Sequence, residues 1–489
     1  MNAVFLFHRD LRLADNTALN IAIKNGFRIL PIFIFDPHQI EESTNRYFSH
    51  PCVQFMCESL RQLDFDLRRY GSRLYMFRGN TVDVLGEVHS AWKFHHLLCN
   101  RDFTLFARER DKNVKDWCES TFVHYRDCED YDIVPIERVV MHEGAPHARP
   151  FTVLSSYFNQ LIKEVRMDPN LIPRPLSESI STQTFVSEKI ECASFPVIRR
   201  NELNQFYKEK PTLIQKGGRS QGLSTLERVG GLVKDYQEDR NFPAKTDGTT
   251  RISAHLKFGT VSCREFFYQI HDSPAGGLDS HLMRELAFRS FFFKIWANQP
   301  ELQRDRSFRQ DVDDQIPWRY PRDYPKEWDA WKSGLTGFPL ADAGMRQLEV
   351  EGFVHNRPRM VLGTVATRYL LFDWRECARH LATRLTDFDP IQNNAGWNYC
   401  AHLGENVQHV WRAPMNPLRQ SRNYDVECEY IKRWLPELRI VRISDIHDWD
   451  ANTKRKYPHV DYPAPIVDLK LASARTTDLW QSAVRASAK

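Results

Sequence analysis

The sequence predicts an α/β protein in two parts: an N-terminal domain with a Rossmann-like parallel sheet, followed by an almost entirely helical domain. Three observations carry this prediction. Short apolar runs alternate with amphipathic stretches up to about residue 130, and strand–helix alternation builds a parallel sheet covered by helices on both faces. Strand signals nearly vanish after about residue 216. The chain has 489 residues, too many for one ordinary core.

In chain order, "AVFLF", "RILPIFIF", "RLYMF" and "KFHHLLC" read as buried strands. "NTALNIAIKNG" and "FMCESLRQLDFDLRRYG" read as helices that end at glycine. No GxGxxG or P-loop follows any strand, so the usual nucleotide fingerprints are missing. Residues 131–215 are rich in Pro and Ser ("MDPNLIPRPLSES", "SFPVIRR") and read as a long surface connector. Residues 216–489 form the helical domain, with "HLMRELAFRSFFFKIWANQ", "GMRQLEVEG", "RPRMVLGTVATRYLLFDWRECARHLATRL" and "VECEYIKRWLPEL" as its helices. The final "TTDLWQSAVRASAK" is too brief to be a separate module.

Composition narrows the class. The chain is 42% hydrophobic and 12% aromatic, enough for substantial cores. It carries 67 basic and 63 acidic residues, and a net charge of +4 does not by itself indicate nucleic acid. The ten cysteines are scattered, with no CxxC and no zinc spacing. They read as reduced thiols of an intracellular protein rather than ligands of zinc or an iron–sulfur cluster. "MNAVFLFHRD" reads as a strand rather than a signal peptide, no apolar run reaches transmembrane length, and a soluble protein is expected.

Five segments of the helical half carry candidate chemistry. In "DPIQNNAGWNYC", Asp389 and Pro390 start a helix on which Asn393 and Trp397 share a face. Gly396 costs such a helix roughly 1 kcal/mol relative to Ala, which suggests close approach by something flat or bulky. "FVHNRPRMVLG" starts a helix near Asn356, with Met360 on the same face and the basic Arg357 and Arg359 nearby; Arg359 has Asp387 and Asp389 as potential partners. "RELAFRSFFF" lines up Glu285, Phe288, Arg289 and Phe292 at helical spacing, and a carboxylate on an aromatic face needs a hydrogen-bond donor. "YQEDRNFPAKTDGTTRISAHLKFGTVS" offers Thr249, Thr250, Arg251 and Ser253 as phosphate donors in a turn. "WRAPMNPLRQSRNYD" puts Trp411, Arg412, Arg419, Gln420 and Arg422 on loop-forming sequence suited to a phosphate backbone. Taken singly, each segment also fits an ordinary core or a solvated face.

Taken together and in this order, the segments resemble the photolyase/cryptochrome flavoproteins, most closely class I cyclobutane pyrimidine dimer photolyases. "FHRDLRLADNTAL" is similar to the family's opening signature, with His8 where Arg is common. "TTRISAHLKFGTVS", "WKSGLTGFPLADAGMRQL", "GFVHNRPRM", "DFDPIQNNAGWNY" and "YPAPIVDLK" are similar to its FAD-domain signatures. The resemblance covers nearly the whole chain. It implies a helical domain holding a bent FAD. Tyr236, Thr249, Thr250, Arg251, Ile252 and Ser253 would hold its phosphates and ribityl chain. Arg359 and Asp387 would form an ion pair beside the ring, with Phe388 and Asp389 adjoining. Asn393 would face the central-ring nitrogen. Trp397, Trp374 and Trp318 would relay electrons. The implied reaction is light-driven splitting of pyrimidine dimers in DNA by a monomer. Glu285, Asn356 and Met360 would contact the dimer. Arg240, Phe288, Arg289, Phe292, Arg357, Tyr399 and Gln420 would contact the DNA.

Some positions depart from that pattern. Class I enzymes sandwich the dimer between two tryptophans, and here Phe288 and Tyr399 stand in those places. DASH cryptochromes, which favour single-stranded lesions, carry a Tyr like Tyr399 but a Gln where this chain has Met360. Phe106 and Ala107 replace the Asn-Glu of folate-binding relatives, which counts against folate; a second, antenna chromophore, folate or deazaflavin, is left open by the resemblance, as is the absence of one. A light receptor without repair activity is a third reading.

Overall fold

A computed structural model describes residues 1–141, 150–404 and 413–487. Strands β1 (Asn2–Phe7), β2 (Arg28–Phe35), β3 (Tyr75–Arg78), β4 (His96–Asn100) and β5 (His124–Cys128) form one sheet in the order β3-β2-β1-β4-β5. All four strand pairs are parallel; Val4 of β1 faces Leu30 on one side and Leu97 on the other. Helices cover both faces, so β1 and β2 are apolar along nearly their whole length and bury from Ala3 and Ile29 onward. The four expected strands are present. β5 was not expected: its sequence, HYRDC, is polar and only partly buried, so an edge strand here leaves no apolar run to read.

The helices Thr17–Lys24 and His50–Arg68 stop just before Gly26 and Gly71, both in the left-handed region, as the sequence suggests. The connector is more ordered than its composition implies. It holds the helix Leu154–Met167, which buries Tyr157, Leu161 and Val165 in one core with residues of the helical half. Its flanking Pro- and Ser-rich segments hide that periodicity. The connector then returns to the sheet, where Phe185 bridges Ile29 and Ile198 bridges Met76.

In the helical half, His281–Asn298 and Pro339–Glu351 form as expected. The long segment after Arg357 is not one helix. It divides into Asn356–Thr364, a π-helical turn at Val365–Tyr369, and Trp374–Ala382. Leu371 turns the chain with φ 63°, and Asp373 caps the next helix by accepting from Arg375 N. Apolar periodicity runs straight through this break, so the sequence does not show it. "VECEYIKRWLPEL" gives only the short helix Glu429–Trp434. "MNPLRQSRNY", expected as loop, contains the helix Pro417–Tyr424, with Asn416 accepting from Arg419 N at 2.9 Å. Trp411 and Arg412 lie outside the described residues.

The two halves meet at the loop after β1. Leu11 N donates to Phe258 O at 3.0 Å. Arg12 donates to Asp130 and Gly259 O. Arg264 of the helical half donates to Asp15 and Asp130. Gly259 is required there: it has φ 62°, and a Cβ on it would lie 2.3 Å from Arg9 O.

Candidate functional site

The helical half contains a cavity lined by Tyr236 and the run Thr249, Thr250, Arg251, Ile252 and Ser253. Glu285, Arg289, Asn356, Arg359, Asp387, Asp389, Gln392 and Asn393 complete its polar lining. Four separated sequence segments converge there because the helices His281–Asn298 and Asn356–Thr364 both pack on Pro390–Cys400.

The Thr249–Ser253 run is held from behind. Gln215, which sequence reasoning missed, donates to Arg251 O at 2.9 Å and to Ser253 Oγ at 3.1 Å. Ser253 Oγ donates to Asp387 Oδ2 at 2.6 Å. Arg251 sits at φ 51° with its Nε buried and unpartnered, and Asp387 Oδ1 is likewise buried without a partner. Buried orphan donors and acceptors are uncommon in native proteins. Here they line a cavity that also offers hydroxyls, the cations Lys257, Arg289 and Arg359, and the amides of Asn356, Gln392 and Asn393, a donor set that fits the phosphates and ring edge of a flavin dinucleotide.

The Asp387-Phe388-Asp389 stretch is irregular chain ahead of the Pro390–Cys400 helix, and its side chains alternate in direction. Asp387 and Asp389 face this cavity. Phe388 faces a second one and stacks on Tyr47 with ring centroids 5.5 Å apart, which corrects its expected place. The expected Arg359–Asp387 ion pair is also absent among the described residues. Arg359 Nη2 instead donates to Asn393 Oδ1 at 3.2 Å, and Asp387 is held by Ser253. Nor does Asp389 pair with Arg359. It accepts from Arg9 Nη1 at 3.0 Å and Tyr131 Oη at 2.6 Å. Burial opposes the Asp389 charge, but Arg9 and the Tyr131 hydroxyl outweigh it and hold the carboxyl below its usual range. The same Asp389 caps its helix through Ile391 N at 2.9 Å.

Around this cavity, Arg240 donates to Glu285, so the carboxylate on the aromatic face has the donor it needs. Asn356 Nδ2 lies 3.7 Å from Met360 Sδ. His355 begins their helix by accepting from Arg357 N at 3.1 Å. Arg357 lies over the Tyr424 ring at 4.1 Å and reaches Asn241 and Gln420. Phe288 packs edge-on against Phe292 at 4.7 Å, and Phe292 also packs against the core. Tyr399 is exposed. Arg289 is half-buried in the cavity wall. It lies 4.2 Å over the Tyr131 ring and donates to Tyr131 O at 3.2 Å, because its turn of the helix faces the N-terminal half. Gly396 has nothing within 4 Å of a built Cβ, whereas a Cβ on Gly363 would meet Cys400 Sγ at 2.8 Å. Helix approach therefore occurs at Gly363, not Gly396.

Trp397 and Trp374 are buried and Trp318 is half-buried. Trp374 and Trp318 both donate to Asp313. Trp397 packs against Trp331 with ring centroids 6.3 Å apart, and Trp331 in turn lies 5.0 Å from Trp328. Sequence reasoning singled out none of Asp313, Trp328 or Trp331.

The second cavity lies at the C-terminal ends of β1 and β2 and beyond β4, where the strand order reverses. Phe33, Phe35, His38, Tyr47, Phe106, Arg110 and Phe388 are among its lining residues. Lys257 lines both cavities and donates to Cys52 Sγ at 2.7 Å. Arg9 also spans them, bound to Asp102 in one and Asp389 in the other.

A parallel five-stranded domain joined to a helical domain, with a cleft that carries hydroxyls, carboxylates, cations and amides, is the two-domain architecture that the sequence resemblance implies. Comparison with known proteins places the chain within it. Residues 3–175 match the DNA photolyase family model, and residues 282–482 match the FAD binding domain of DNA photolyase. A deoxyribodipyrimidine photo-lyase of Streptomyces griseus is 32% identical over 480 residues, covering 97% of this chain and 98% of the relative. The archaeal photolyase of Sulfolobus tokodaii, solved with two FAD molecules, superposes with a TM-score of 0.82 at 32% identity, covering 99% of this chain and 100% of that one. A class III photolyase of Agrobacterium tumefaciens gives 0.85 at 25% identity, over 99% and 98%. The chain belongs to the photolyase/cryptochrome family, and its helical half is that family's FAD-binding domain. Among the described residues no helix is long and apolar enough to cross a membrane.

Proposed function

We propose that this protein uses light to split cyclobutane pyrimidine dimers in DNA. The observation that carries the reading is that Glu285 and Asn356 line the same cavity as the Thr249–Ser253 run and Asn393. A carboxylate and an amide suited to thymine edges thus share one space with groups suited to a flavin. When bound, reduced FAD would supply photoexcited transfer of one electron to the dimer, whose two cyclobutane bonds would break before the electron returns.

The chain's own residues do the rest. The damaged dinucleotide leaves the duplex, and Glu285 and Asn356 accept from and donate to its base edges while Met360 packs beside it. Arg240 exchanges its Glu285 contact for DNA phosphate. Arg357, Gln420 and the aromatic faces of Phe288 and Tyr399 hold the flanking strand, each stacked ring contributing about 1–3 kcal/mol per base. Trp397, Trp374 and Trp318 supply electrons from the protein. The crevice between Phe106, Tyr47 and Phe388 takes a planar second chromophore of the flavin or deazaflavin type.

The test is an absorption spectrum of the purified protein, followed by a light-dependent assay on dimer-containing DNA. Flavin absorbance and loss of dimers only under illumination support the reading. Protein that binds flavin yet leaves dimers intact in reduced, illuminated samples is a receptor instead. Tyr399 favours the DASH-type alternative, and repair confined to single strands decides for it.

A further inference from the structure

Asp313 ends the short helix Gln310–Asp313, and its side chain is 1% exposed. Its Oδ1 accepts from Trp318 Nε1 at 2.8 Å, and its Oδ2 accepts from Trp374 Nε1 at 3.2 Å. Two indoles from separate elements thus share one buried carboxylate. Ordinary packing does not require this. Trp331, Trp449 and Trp480 are also buried, and each satisfies its N–H with a backbone carbonyl. Arg375 bridges Asp313 and Asp373, so these three charged groups together carry one net negative charge.

The nearby cations are arranged unevenly. Arg375 lies 4.7 Å over the Trp374 ring. Trp318 meets Trp480 edge-on at 5.5 Å. Arg368 lies 4.0 Å over Trp480, is 0% exposed, and has no hydrogen-bond partner at any of its three guanidinium nitrogens. Burial lowers its pKa to about 9, which leaves it charged at neutral pH. A fixed cation against a ring opposes making that ring positive, and a carboxylate at its N–H favours it. Trp480 therefore has only the unfavourable term and Trp374 has both. Among the described residues no cation stacks on Trp318, which keeps only the carboxylate.

We propose that Asp313 is the proton acceptor for an oxidised Trp318, and that Arg368 keeps the oxidation off Trp480. This rests on the electron-relay reading above. One electron leaves the Trp318 indole for a one-electron oxidant. The Nε1 proton then crosses the hydrogen bond to Asp313 Oδ1, leaving a neutral indolyl radical beside a neutral carboxylic acid. The proton transfer removes both charges from the site and slows return of the electron.

Asp313→Asn keeps an acceptor oxygen for Trp318 but removes the base. Flash excitation of the flavin-loaded protein, read by transient absorption and electron paramagnetic resonance, is expected to show a neutral radical on Trp318, lost in Trp318→Phe. In Asp313→Asn the protonated cation radical is expected to last about 100-fold longer, the scale of a lost general base. Equal lifetimes overturn the proposal. Arg368→Met is expected to move part of the radical to Trp480, and an unmoved radical overturns Arg368's role. If illumination yields no tryptophan radical, the relay reading fails. Asp313 is then tested in flavin-free protein with photogenerated ruthenium(III) tris-bipyridine as oxidant, subtracting the Trp318→Phe signal. Should Asp313→Asn not fold, the wild type suffices. A deprotonation rate independent of buffer concentration supports transfer to Asp313, and one that climbs with buffer base overturns it.

Discussion

At the scale of single residues, Glu285 is the most informative side chain. It sits on an aromatic helical face and accepts a hydrogen bond from Arg240, which also lies 5.5 Å over the Tyr236 ring. The Glu285–Arg240 pair is part-exposed, so losing it costs little stability, whereas a ligand held by that carboxylate loses its partner. Glu285→Ala is expected to lower light-dependent dimer repair about 10–100-fold, the effect of losing one charged hydrogen bond, while the flavin absorbance per protein stays unchanged. Glu285→Gln, which keeps an acceptor, is expected to fall between. Parallel loss of flavin and repair in the Ala variant would mean the residue is structural. Trp397→Phe separates the other function of the cavity: light-driven reduction of the bound cofactor is expected to be lost, with repair by chemically reduced protein retained.

At the scale of elements, the crossing of Asn356–Thr364 over Pro390–Cys400 sets the cavity, and two glycines on those helices have opposite roles. Gly363 meets Cys400 where the helices touch, and Gly396 faces open space. Gly363→Ala is expected to destabilise by about 1–3 kcal/mol through overpacking. Gly396→Ala is expected to stabilise by up to about 1 kcal/mol through helix propensity. Urea unfolding of the two variants checks the pair, and shifts of the same sign contradict the crossing geometry. The sequence made the candidate residues of these helices legible because helical spacing puts Asn393 with Trp397 and Asn356 with Met360. It gave Asp389 its capping role by the Asp-Pro step. It did not show which partner each charge would choose: Arg359, Asp387 and Asp389 all looked interchangeable until the fold put Ser253, Asn393 and Arg9 beside them. β5 escaped notice because edge strands need no apolar run, and the turn at Leu371 because a left-handed leucine has no local signal. Asp313 had none either, since its two indoles arrive five and sixty-one residues later.

At the scale of the whole molecule, the opening motif FHRDLRLADNTAL is chiefly an interdomain latch. Its Arg9, Arg12 and Asp15 reach Asp389, Gly259 and Arg264 of the helical half. The helical half also holds three histidines that burial keeps neutral. Burial lowers the pKa of His255 and of His355 to about 4, and that of His380 to about 3. Each folded value lies below the usual 6.5, so the unfolded chain binds more protons than the folded one in this range. Their contribution is complete above pH 6.5 and is lost as pH falls toward the folded values, by roughly 1–2 kcal/mol per histidine between pH 7 and 5. His355 adds a local effect. Its Nδ1 accepts from Arg357 N to begin the helix bearing Asn356, Arg359 and Met360. Protonation removes that acceptor and puts a positive charge at a helix N-terminus, where it is unfavourable. The melting temperature is therefore expected to fall steadily from pH 7 to 5, with flavin released before global unfolding. His355→Asn keeps a capping oxygen without a titrating group, and is expected to flatten part of that slope and hold flavin at lower pH. A wild-type melting temperature constant over this range, or an unchanged slope in the variant, would contradict the argument.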